Sequence, residues 1–342
     1  MKSDKAPARA ARHEGTRLKR FLAALSLAAG IVASAAQAQN IPTIRVGWTI
    51  PAEEAKYWMM RRPQEFPDLG KIYKIEWSQF QGTSSMSQAL IAGALDCATQ
   101  GVLAIAQGAA NGTLPVYIIA QHVGEKPGSF SVYWAVKEDG PIKTVADLKG
   151  RTVGISIIGG GTQGPFNLML RKNGVDPEKD IKLVEVSFPL SEEAIRSGRV
   201  DAANMNQPFA ARAEAKGGIG KLFALEEVLP NIVHIVEACR KDFVDRNPEV
   251  VKAYVSEFTK ALKMALANHA ETRNVVSEIT KVPVRVLDTY LLKSNDFARE
   301  PGGAPNFAAI QAMLDVYADT GMINKKLDAN QFKHPTIVAP ME

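Results

Sequence analysis

Hydroxyl-bearing residues occur where a strand pattern gives way to a helix pattern. The run Gly82-Thr83-Ser84-Ser85 precedes a predicted helix at Met86–Ala92. The first turn of a helix offers free backbone N–H groups and a partial positive charge, and hydroxyl groups add further donors. The run could therefore hold an oxyanion such as a sulfonate or a carboxylate. An ordinary helix cap is the alternative, although a cap requires only one such residue.

A glycine-rich segment, Ser156–Gly164, joins a predicted strand to a predicted helix near Pro165–Leu170. Consecutive glycines such as Gly161 let a backbone approach a ligand closely, and the adjacent Thr162 and Gln163 carry polar groups suited to contact it. The segment lacks the Gly-Lys-Ser/Thr of a Walker loop and does not match a dinucleotide fingerprint well. A flexible turn is the alternative for the glycines themselves.

Further candidate ligand contacts follow other predicted strands. They are Thr49, Ile50, Gln100, Ser156, Asn206 and Gln207. His122 is another candidate, better suited to an internal hydrogen bond than to ligand contact. The amides of Asn206 and Gln207 both donate and accept, which argues against a ligand whose amine requires a carboxylate partner. Arg and Lys are absent from the candidate loops, so an anion would depend on neutral donors and helix dipoles.

Alternating strands and helices position these candidates. The predicted strands are Thr43–Trp48, Lys74–Gln79, Leu95–Thr99 and Val116–Ala120, and the predicted helices between them are Glu54–Met60, Met86–Ala92 and Val102–Ala110. Such alternation is typical of βαβ units and predicts a mainly parallel sheet.

The same pattern recurs further along the chain. Ile44-Arg45-Val46-Gly47 is echoed by Thr152-Val153-Gly154, and the run from Leu90 to Asp96 is echoed by the run from Ile195 to Asp201. In each echo a helix ends at a glycine suited to a left-handed cap, and a strand continues past the aspartate. The echoes predict two similar lobes, with chance similarity of common helix-glycine-strand junctions as the alternative.

The remainder of the chain is predicted to be helical from Pro248 onward. The predicted helices are Val250–Leu266, Ala270–Ile279, Pro283–Leu292 and Phe307–Thr320. Asn247 is a suitable N-cap for the first of them, and Gly321 is a suitable end for the last. We expect these helices to form one packed tail.

The amino terminus has the pattern of a cleavable export signal. Seven Lys or Arg residues precede Phe21, an apolar stretch follows to about Ala36, and Ala36-Gln37-Ala38 fits a leader-peptidase site. An uncleaved anchor is the alternative. Cleavage would remove seven of 41 basic and two of 36 acidic residues, leaving a formally neutral chain. The basic balance therefore reflects targeting, and nucleic acid is excluded as an expected partner.

Cysteine and histidine spacing predicts neither a metal site nor a cofactor. The five histidines are scattered, without the spacings of a zinc site. Cys97 and Cys239 could pair in an oxidising compartment, but the apolar surroundings of Cys97 favour a buried, inert thiol.

Two longer segments identify a family resemblance. Residues 145–154 (VADLKGRTVG) and 240–254 (RKDFVDRNPEVVKAY), together with the glycine-aspartate echoes, resemble the nitrate, sulfonate and taurine branch of ABC-transporter solute-binding proteins. The resemblance implies a type II periplasmic-binding fold with two α/β lobes, a hinge and a helical tail packed on lobe 1. It implies a signal peptide at 1–38, lobe 1 at 39–122 and 236–342, and lobe 2 at 123–235. The crossings are expected near Ala120–Gly124 and Val233–Ala238.

The resemblance also implies a function. A monomeric periplasmic protein, without stable membrane insertion, would bind a small organic anion in the interlobe cleft and present it to an ABC permease and its ATPase. A sulfonate, a taurine-like compound or a carboxylate is the expected ligand, with a nitrate-like solute or a pyrimidine or thiamine precursor as alternatives. A pyrimidine-synthase-like enzyme is disfavoured, because those cytosolic enzymes carry a cysteine-rich segment that is missing here.

Overall fold

The computed structural model describes residues 41–50, 52–80 and 82–340. The predicted signal peptide at 1–38 lies outside these residues. Ten strands form among the described residues: β1 Thr43–Trp48, β2 Lys74–Gln79, β3 Cys97–Gly101, β4 Val116–Glu125, β5 Tyr133–Lys137, β6 Thr152–Ile155, β7 Lys182–Glu185, β8 Ala202–Met205, β9 Ile219–Ala224 and β10 Ile232–Arg240.

The α-helices of the described residues fall between and after these strands. They are α1 Glu54–Arg61, α2 Thr83–Ile91, α3 Val102–Ala110, α4 Gln163–Lys172, α5 Phe188–Arg196, α6 Phe209–Lys216, α7 Lys241–Arg246, α8 Pro248–Ala267, α9 His269–Thr280, α10 Val284–Leu287 and α11 Phe307–Asp319.

Two sheets of the same construction confirm the prediction of two similar α/β lobes. The first has the order β2-β1-β3-β10-β4 and the second β7-β6-β8-β5-β9. In each sheet the first three strands are parallel and the fourth is antiparallel to both of its neighbours. We refer to each sheet with the helices packed on it as the first lobe and the second lobe.

The repeat extends to the register of individual residues. The central parallel pairs align as Val46 with Cys97 and Gly47 with Ala98 in the first lobe, and as Val153 with Ala202 and Gly154 with Ala203 in the second. The predicted helix-ending glycines, Gly93 and Gly198, adopt left-handed conformations with φ of 70° and 75°.

Each aspartate of the repeat fixes the start of a neighbouring strand. The Asp96 carboxylate accepts a hydrogen bond from Arg45 N at 3.0 Å. The Asp201 carboxylate accepts one from Thr152 N at 2.9 Å. The aspartates therefore satisfy backbone donors that the sheet leaves unpaired, which explains why the two runs share an aspartate at the same place.

Aromatic packing forms the centre of the second lobe. Trp134 is fully buried on β5. Its ring stacks on Phe166 of α4 at 4.6 Å and on Phe223 of β9 at 5.1 Å between centroids. The stack joins a helix and two strands, and burial of three large rings supplies much of the apolar contact that holds α4 to the sheet.

The helical tail differs from prediction at one place. The predicted helix Pro283–Leu292 is only the single turn Val284–Leu287. Leu292 has a left-handed backbone with φ of 61°, and its N–H donates to the Asp296 carboxylate at 2.8 Å. The Asp296 carboxylate thus takes the place of the backbone carbonyl that would accept this hydrogen bond in a helix, and the chain leaves the helical path at Leu292.

The cysteines also correct an expectation. Cys97 and Cys239 form a disulfide, so the prediction of an inert thiol at Cys97 is wrong. The two residues lie directly opposite each other on the antiparallel strands β3 and β10. They are 142 residues apart in sequence, and only the pairing of these strands brings them together. Among the described residues, no helix is long and apolar enough to cross a membrane.

Candidate functional site

The first turn of α2 lies beside the carboxyl end of β3. The helix begins at Thr83, three residues earlier than predicted, so the hydroxyl-bearing run belongs to the helix itself. Thr83 Oγ1 lies over Gly101, 3.7 Å from where a Cβ would stand. Gly82 is the N-cap residue and is extended, and Ser85 Oγ donates to its carbonyl O at 2.9 Å. A glycine thus occupies the cap position, and the three hydroxyl-bearing residues stand within the first turn of the helix.

Gln100 is fully buried against α2. Its Oε1 accepts a hydrogen bond from Ser87 Oγ of the helix at 2.7 Å. Its Nε2 has no hydrogen-bond partner among the described residues. Because a buried unpaired donor is costly, this nitrogen is a natural contact for a ligand acceptor.

Thr49, at the end of β1, is fixed through its backbone. Its N–H donates to Glu53 Oε1 at 2.9 Å, and its carbonyl accepts from Tyr57 Oη at 3.0 Å. The next residue, Ile50, is 39% exposed. The carboxyl ends of parallel strands meet at one edge of a sheet, so Thr49, Ile50 and Gln100 share the same edge of the first lobe.

A buried charged cluster, of which only His122 was a sequence-based candidate, lies beneath this edge. Its members are Glu53, Lys56, Thr99, His122 and Glu237, all buried. Lys56 Nζ contacts Glu237 Oε2 at 2.7 Å and Glu53 Oε2 at 3.5 Å, and donates to Thr99 Oγ1 at 2.6 Å. We call these residues the Lys56 cluster. It ties α1, β3 and β10 together directly under Thr49.

The two carboxylates of the Lys56 cluster have opposite pKa shifts. Burial raises the pKa of Glu53 in spite of the attraction of Lys56. Burial also opposes ionisation of Glu237, but the charges of Lys56 and His122 and their hydrogen bonds outweigh it and lower its pKa. The cluster therefore stabilises the charged form of Glu237, beside Lys56, and disfavours the charged form of Glu53.

The paired strands β4 and β10 carry two reciprocal His–Glu pairs. His122 Nε2 of β4 lies 3.2 Å from Glu237 Oε2 of β10, and His234 Nε2 of β10 lies 2.5 Å from Glu125 Oε1 of β4. His122 is only 2% exposed. His122 therefore makes an internal hydrogen bond, as the sequence analysis expected in preference to a ligand contact.

In the second lobe, the structure adds a residue that the sequence analysis missed. Asn204 on β8 is fully buried, and its Nδ2 donates to Ser156 Oγ at 3.3 Å. Its Oδ1 has no partner among the described residues. The repeat contained the signal, because Asn204 stands three residues after Asp201 as Thr99 stands three after Asp96.

Other candidates of the second lobe contact the rest of the protein. Gly161 O accepts from Tyr317 Oη of α11 at 3.2 Å, and Gln163 Oε1 accepts from Gly159 N at 2.6 Å. Thr162 is the N-cap residue of α4 and makes no side-chain cap hydrogen bond. The glycine-rich segment thus contacts the tail through Gly161. Of its polar candidates, Thr162 carries a hydroxyl at the start of α4.

The loop after β8 also reaches the tail. Gln207 Nε2 donates to Asn295 O at 2.9 Å, and Gln207 N donates to Asn206 Oδ1 at 2.8 Å. Gln207 is 5% exposed. These two amides therefore fix the loop and its attachment to the segment before α11.

Comparison with known proteins identifies the family of this chain. The chain matches the NMT1-like family over residues 37–281. The chain belongs to the NMT1-like family. A relative of Escherichia coli named for binding aliphatic sulfonates is 24% identical over 258 residues, 75% of this chain and 78% of its own length. The bicarbonate-binding protein CmpA of Synechococcus elongatus is 31% identical over 123 residues, 34% of this chain and 27% of its own.

A solved structure confirms the fold of this NMT1-like chain. The periplasmic aliphatic sulphonate binding protein SsuA from Escherichia coli matches with a TM-score of 0.70 at 21% identity, over 88% of this chain and 94% of that one. The predicted periplasmic-binding fold is therefore correct. These relatives are named as binding proteins and not as enzymes, in agreement with the prediction. Among the described residues, no group of three metal-ligating side chains is assembled.

Proposed function

We propose that the chain is the extracytoplasmic solute-binding component of an ABC importer and captures a small organic anion between its lobes. The observation that carries the proposal is the first turn of α2 beside Gln100 Nε2, a buried donor without a partner among the described residues. Free helix N–H groups, hydroxyls and an amide nitrogen suit a sulfonate or carboxylate oxygen. The family and its named relatives support the binding role.

The proposed mechanism is closure of two lobes around the ligand. The lobes would consist of residues 39–122 with 236–342 and residues 123–235, after removal of residues 1–38 and export to the periplasm. The order of the strands supports this division, since β5 to β9 form the second sheet and lie in the chain between β4 and β10 of the first sheet. A ligand that contacts both lobes stabilises the closed state over the open one, and a permease with its ATPase can recognise closure of the monomer.

A thermal-shift screen of the protein starting at Gln39 tests the proposal. A ligand that binds only the folded state raises the melting temperature, and the rise grows with the logarithm of the ligand concentration above Kd. The panel contains alkanesulfonates, taurine, carboxylates, nitrate, bicarbonate and pyrimidines. We expect a dose-dependent rise with an organic anion. A response to pyrimidines or inorganic anions alone would contradict the ligand class, and no response to any compound would contradict the binding role.

A further inference from the structure

The three most exposed large apolar side chains of the described residues belong to the second lobe. They are Ile157, Leu190 and Ile158, which are 60%, 52% and 50% exposed. Ile157 and Ile158 stand in the loop after β6, and Leu190 stands in the first turn of α5, which follows β7. Exposed apolar side chains that are grouped on a surface are a sign of a binding site. We call these three residues the apolar edge.

Strand pairing brings the two loops of the apolar edge to one end of the second sheet. β6 and β7 are parallel neighbours, and their last residues, Ile155 and Glu185, are aligned. Ile158 N donates to Glu185 Oε2 at 3.3 Å, which ties the loop after β6 to the end of β7. The apolar edge therefore lies at the carboxyl ends of parallel strands, where ligands bind in sheets of this kind.

The loop that carries the two isoleucines also reaches the first lobe. Gly160 N donates to Ile157 O at 3.1 Å, which closes a tight turn. The next residue, Gly161, stands so close to α3 that a Cβ on it would lie 4.0 Å from Leu103 Cβ. Leu103 follows Gln100, the buried amide of the candidate site, in the same strand-to-helix connection. The turn is thus adjacent to the part of the first lobe that offers donors to an anion.

The charged side chains beside the apolar edge favour an uncharged occupant. The Glu185 carboxylate is negative and repels an anionic group. Arg212 Nη2 comes within 3.5 Å of Pro189 O at the start of α5, but its guanidinium is paired with the Glu192 carboxylate at 3.1 Å. The anionic end of a ligand is therefore better placed beside α2 on the first lobe, and its uncharged end on the apolar edge.

The repeat places an exposed isoleucine at the same position in the first lobe. Ile50 is three residues after Gly47, as Ile157 is three residues after Gly154, and the two glycines are aligned alike in their sheets. Ligand sites are lined mostly by apolar side chains with a few well-placed polar groups. An apolar residue at this position in both lobes agrees with a site for a partly apolar ligand.

We propose that the apolar edge determines specificity for a hydrocarbon or ring portion of an organic anion. The anionic group binds the donors beside the first turn of α2, and burial of the apolar portion against Ile157, Ile158 and Leu190 adds affinity. This inference rests on the proposed function and narrows its substrate class. Organic anions with an apolar portion bind more tightly than nitrate, bicarbonate or methanesulfonate.

Calorimetric titration of the protein starting at Gln39 with two homologous series tests the inference. The series run from methanesulfonate to octanesulfonate and from acetate to octanoate, and octyltrimethylammonium is the cationic control. In the series that binds, we expect Kd to fall by up to about fourfold for each added methylene until the apolar edge is covered. The cation should bind at least about tenfold more weakly than the anion of the same length.

The titrations separate failure of the inference from failure of the proposed function. A Kd that is independent of chain length would overturn the inference and leave the proposed function intact. Equal affinity for octyltrimethylammonium and octanesulfonate would show apolar binding without recognition of the anion, and would also overturn the inference. If no anion of either series binds, both the inference and the proposed function are wrong.

Replacing the two isoleucines provides a second readout. Ile157→Ser with Ile158→Ser removes apolar surface from an exposed turn, so the ratio of hexanesulfonate to methanesulfonate affinity should fall by about tenfold while methanesulfonate binds as before. Ile72→Ser is the matched control, because Ile72 is 43% exposed and precedes β2, at the opposite edge of the first sheet. An unchanged ratio in the double variant would show that the apolar portion binds elsewhere and overturn the inference.

Leu190→Ser alters the other loop and keeps the inference testable if the double variant does not fold. Leu190 is more than half exposed, so its replacement should leave the packing of α5 intact. We expect the same ratio to fall by about threefold, again without a change for methanesulfonate. A ratio equal to that of the wild type would contradict the assignment of Leu190 to the apolar edge and overturn the inference as stated.

Discussion

The Lys56 cluster contains charged side chains that are buried away from solvent. Lys56 and Glu237 have fully buried side chains 2.7 Å apart at their charged atoms. Two opposite charges that are buried together attract each other strongly, and removal of one leaves the other buried without a partner. The cluster thus holds the base of the candidate site in place. Any substitution of Lys56 should therefore lower the stability of the protein.

Lys56→Met tests this dependence. The change leaves Glu237 buried without its cation, and we expect a loss of about 3–5 kcal/mol in the free energy of unfolding, measured by urea denaturation. Adding Glu237→Gln should restore part of the loss, because the uncompensated charge is then removed. Lys252→Met, at an exposed ion pair with Glu249, should change stability by no more than about 0.5 kcal/mol. Equal effects at both lysines would contradict the argument.

Glu53 provides a prediction about pH. Burial raises its pKa in the folded protein above the ordinary value of 4.5, so above that pH the folded state holds a proton that the unfolded state releases. Stability from this group is present below pH 4.5 and is lost as pH rises through the folded pKa. Glu53→Gln removes the titration, so its stability should decline less over that range than the wild type. Urea unfolding at several pH values measures the difference.

An exposed carboxylate is the control for Glu53→Gln. Glu249 has a side chain that is 79% exposed, and Glu249→Gln should leave the pH profile of stability like that of the wild type. A Glu53→Gln profile that parallels the wild type would show that Glu53 does not titrate in this window.

At the scale of elements, close packing between α4 and α11 depends on a glycine. A Cβ at Gly164 would stand 2.7 Å from Tyr317 Cδ1. Gly164→Ala within a helix should otherwise gain about 1 kcal/mol in propensity, while overpacking costs about 1–3 kcal/mol. We expect the clash to prevail and the variant to be less stable by up to about 2 kcal/mol in urea unfolding.

A double-mutant cycle separates the clash from other effects of Gly164→Ala. In a Tyr317→Leu background the ring is gone, so the alanine should be neutral or stabilising. The same loss in both backgrounds would show that the cost does not come from contact with α11.

Most elements could be predicted from the sequence, because they depend on local patterns. The strands Thr43–Trp48 and Lys74–Gln79 and the helix Val102–Ala110 have the bounds that periodicity predicts. The Lys56 cluster and the Gln100–Ser87 bond could not be predicted, since they join residues of different elements through strand order. The length of the helix Val284–Leu287 was overestimated, because the side chain of Asp296 competes as acceptor for a backbone N–H that a longer helix would use.

At the scale of the whole molecule, the disulfide closes a loop that contains the second lobe. Between Cys97 and Cys239 the chain completes β3, adds β4 to the first sheet, forms the complete second sheet and returns to the first sheet in β10. A link between the two ends of this excursion restricts the unfolded chain most, because the enclosed loop is long. It also joins two strands of the sheet whose edge carries the candidate site.

Replacing both cysteines, Cys97→Ala with Cys239→Ala, should therefore lower the free energy of unfolding by about 3–5 kcal/mol. Ligand affinity should change little, because β3 and β10 remain paired by backbone hydrogen bonds on either side of the disulfide. Reduced wild-type protein should unfold at the urea concentration of the double variant, and oxidised wild type at a higher one. If reduction does not alter the wild-type midpoint, the disulfide does not stabilise the protein; if affinity falls along with stability, the bond also positions the site.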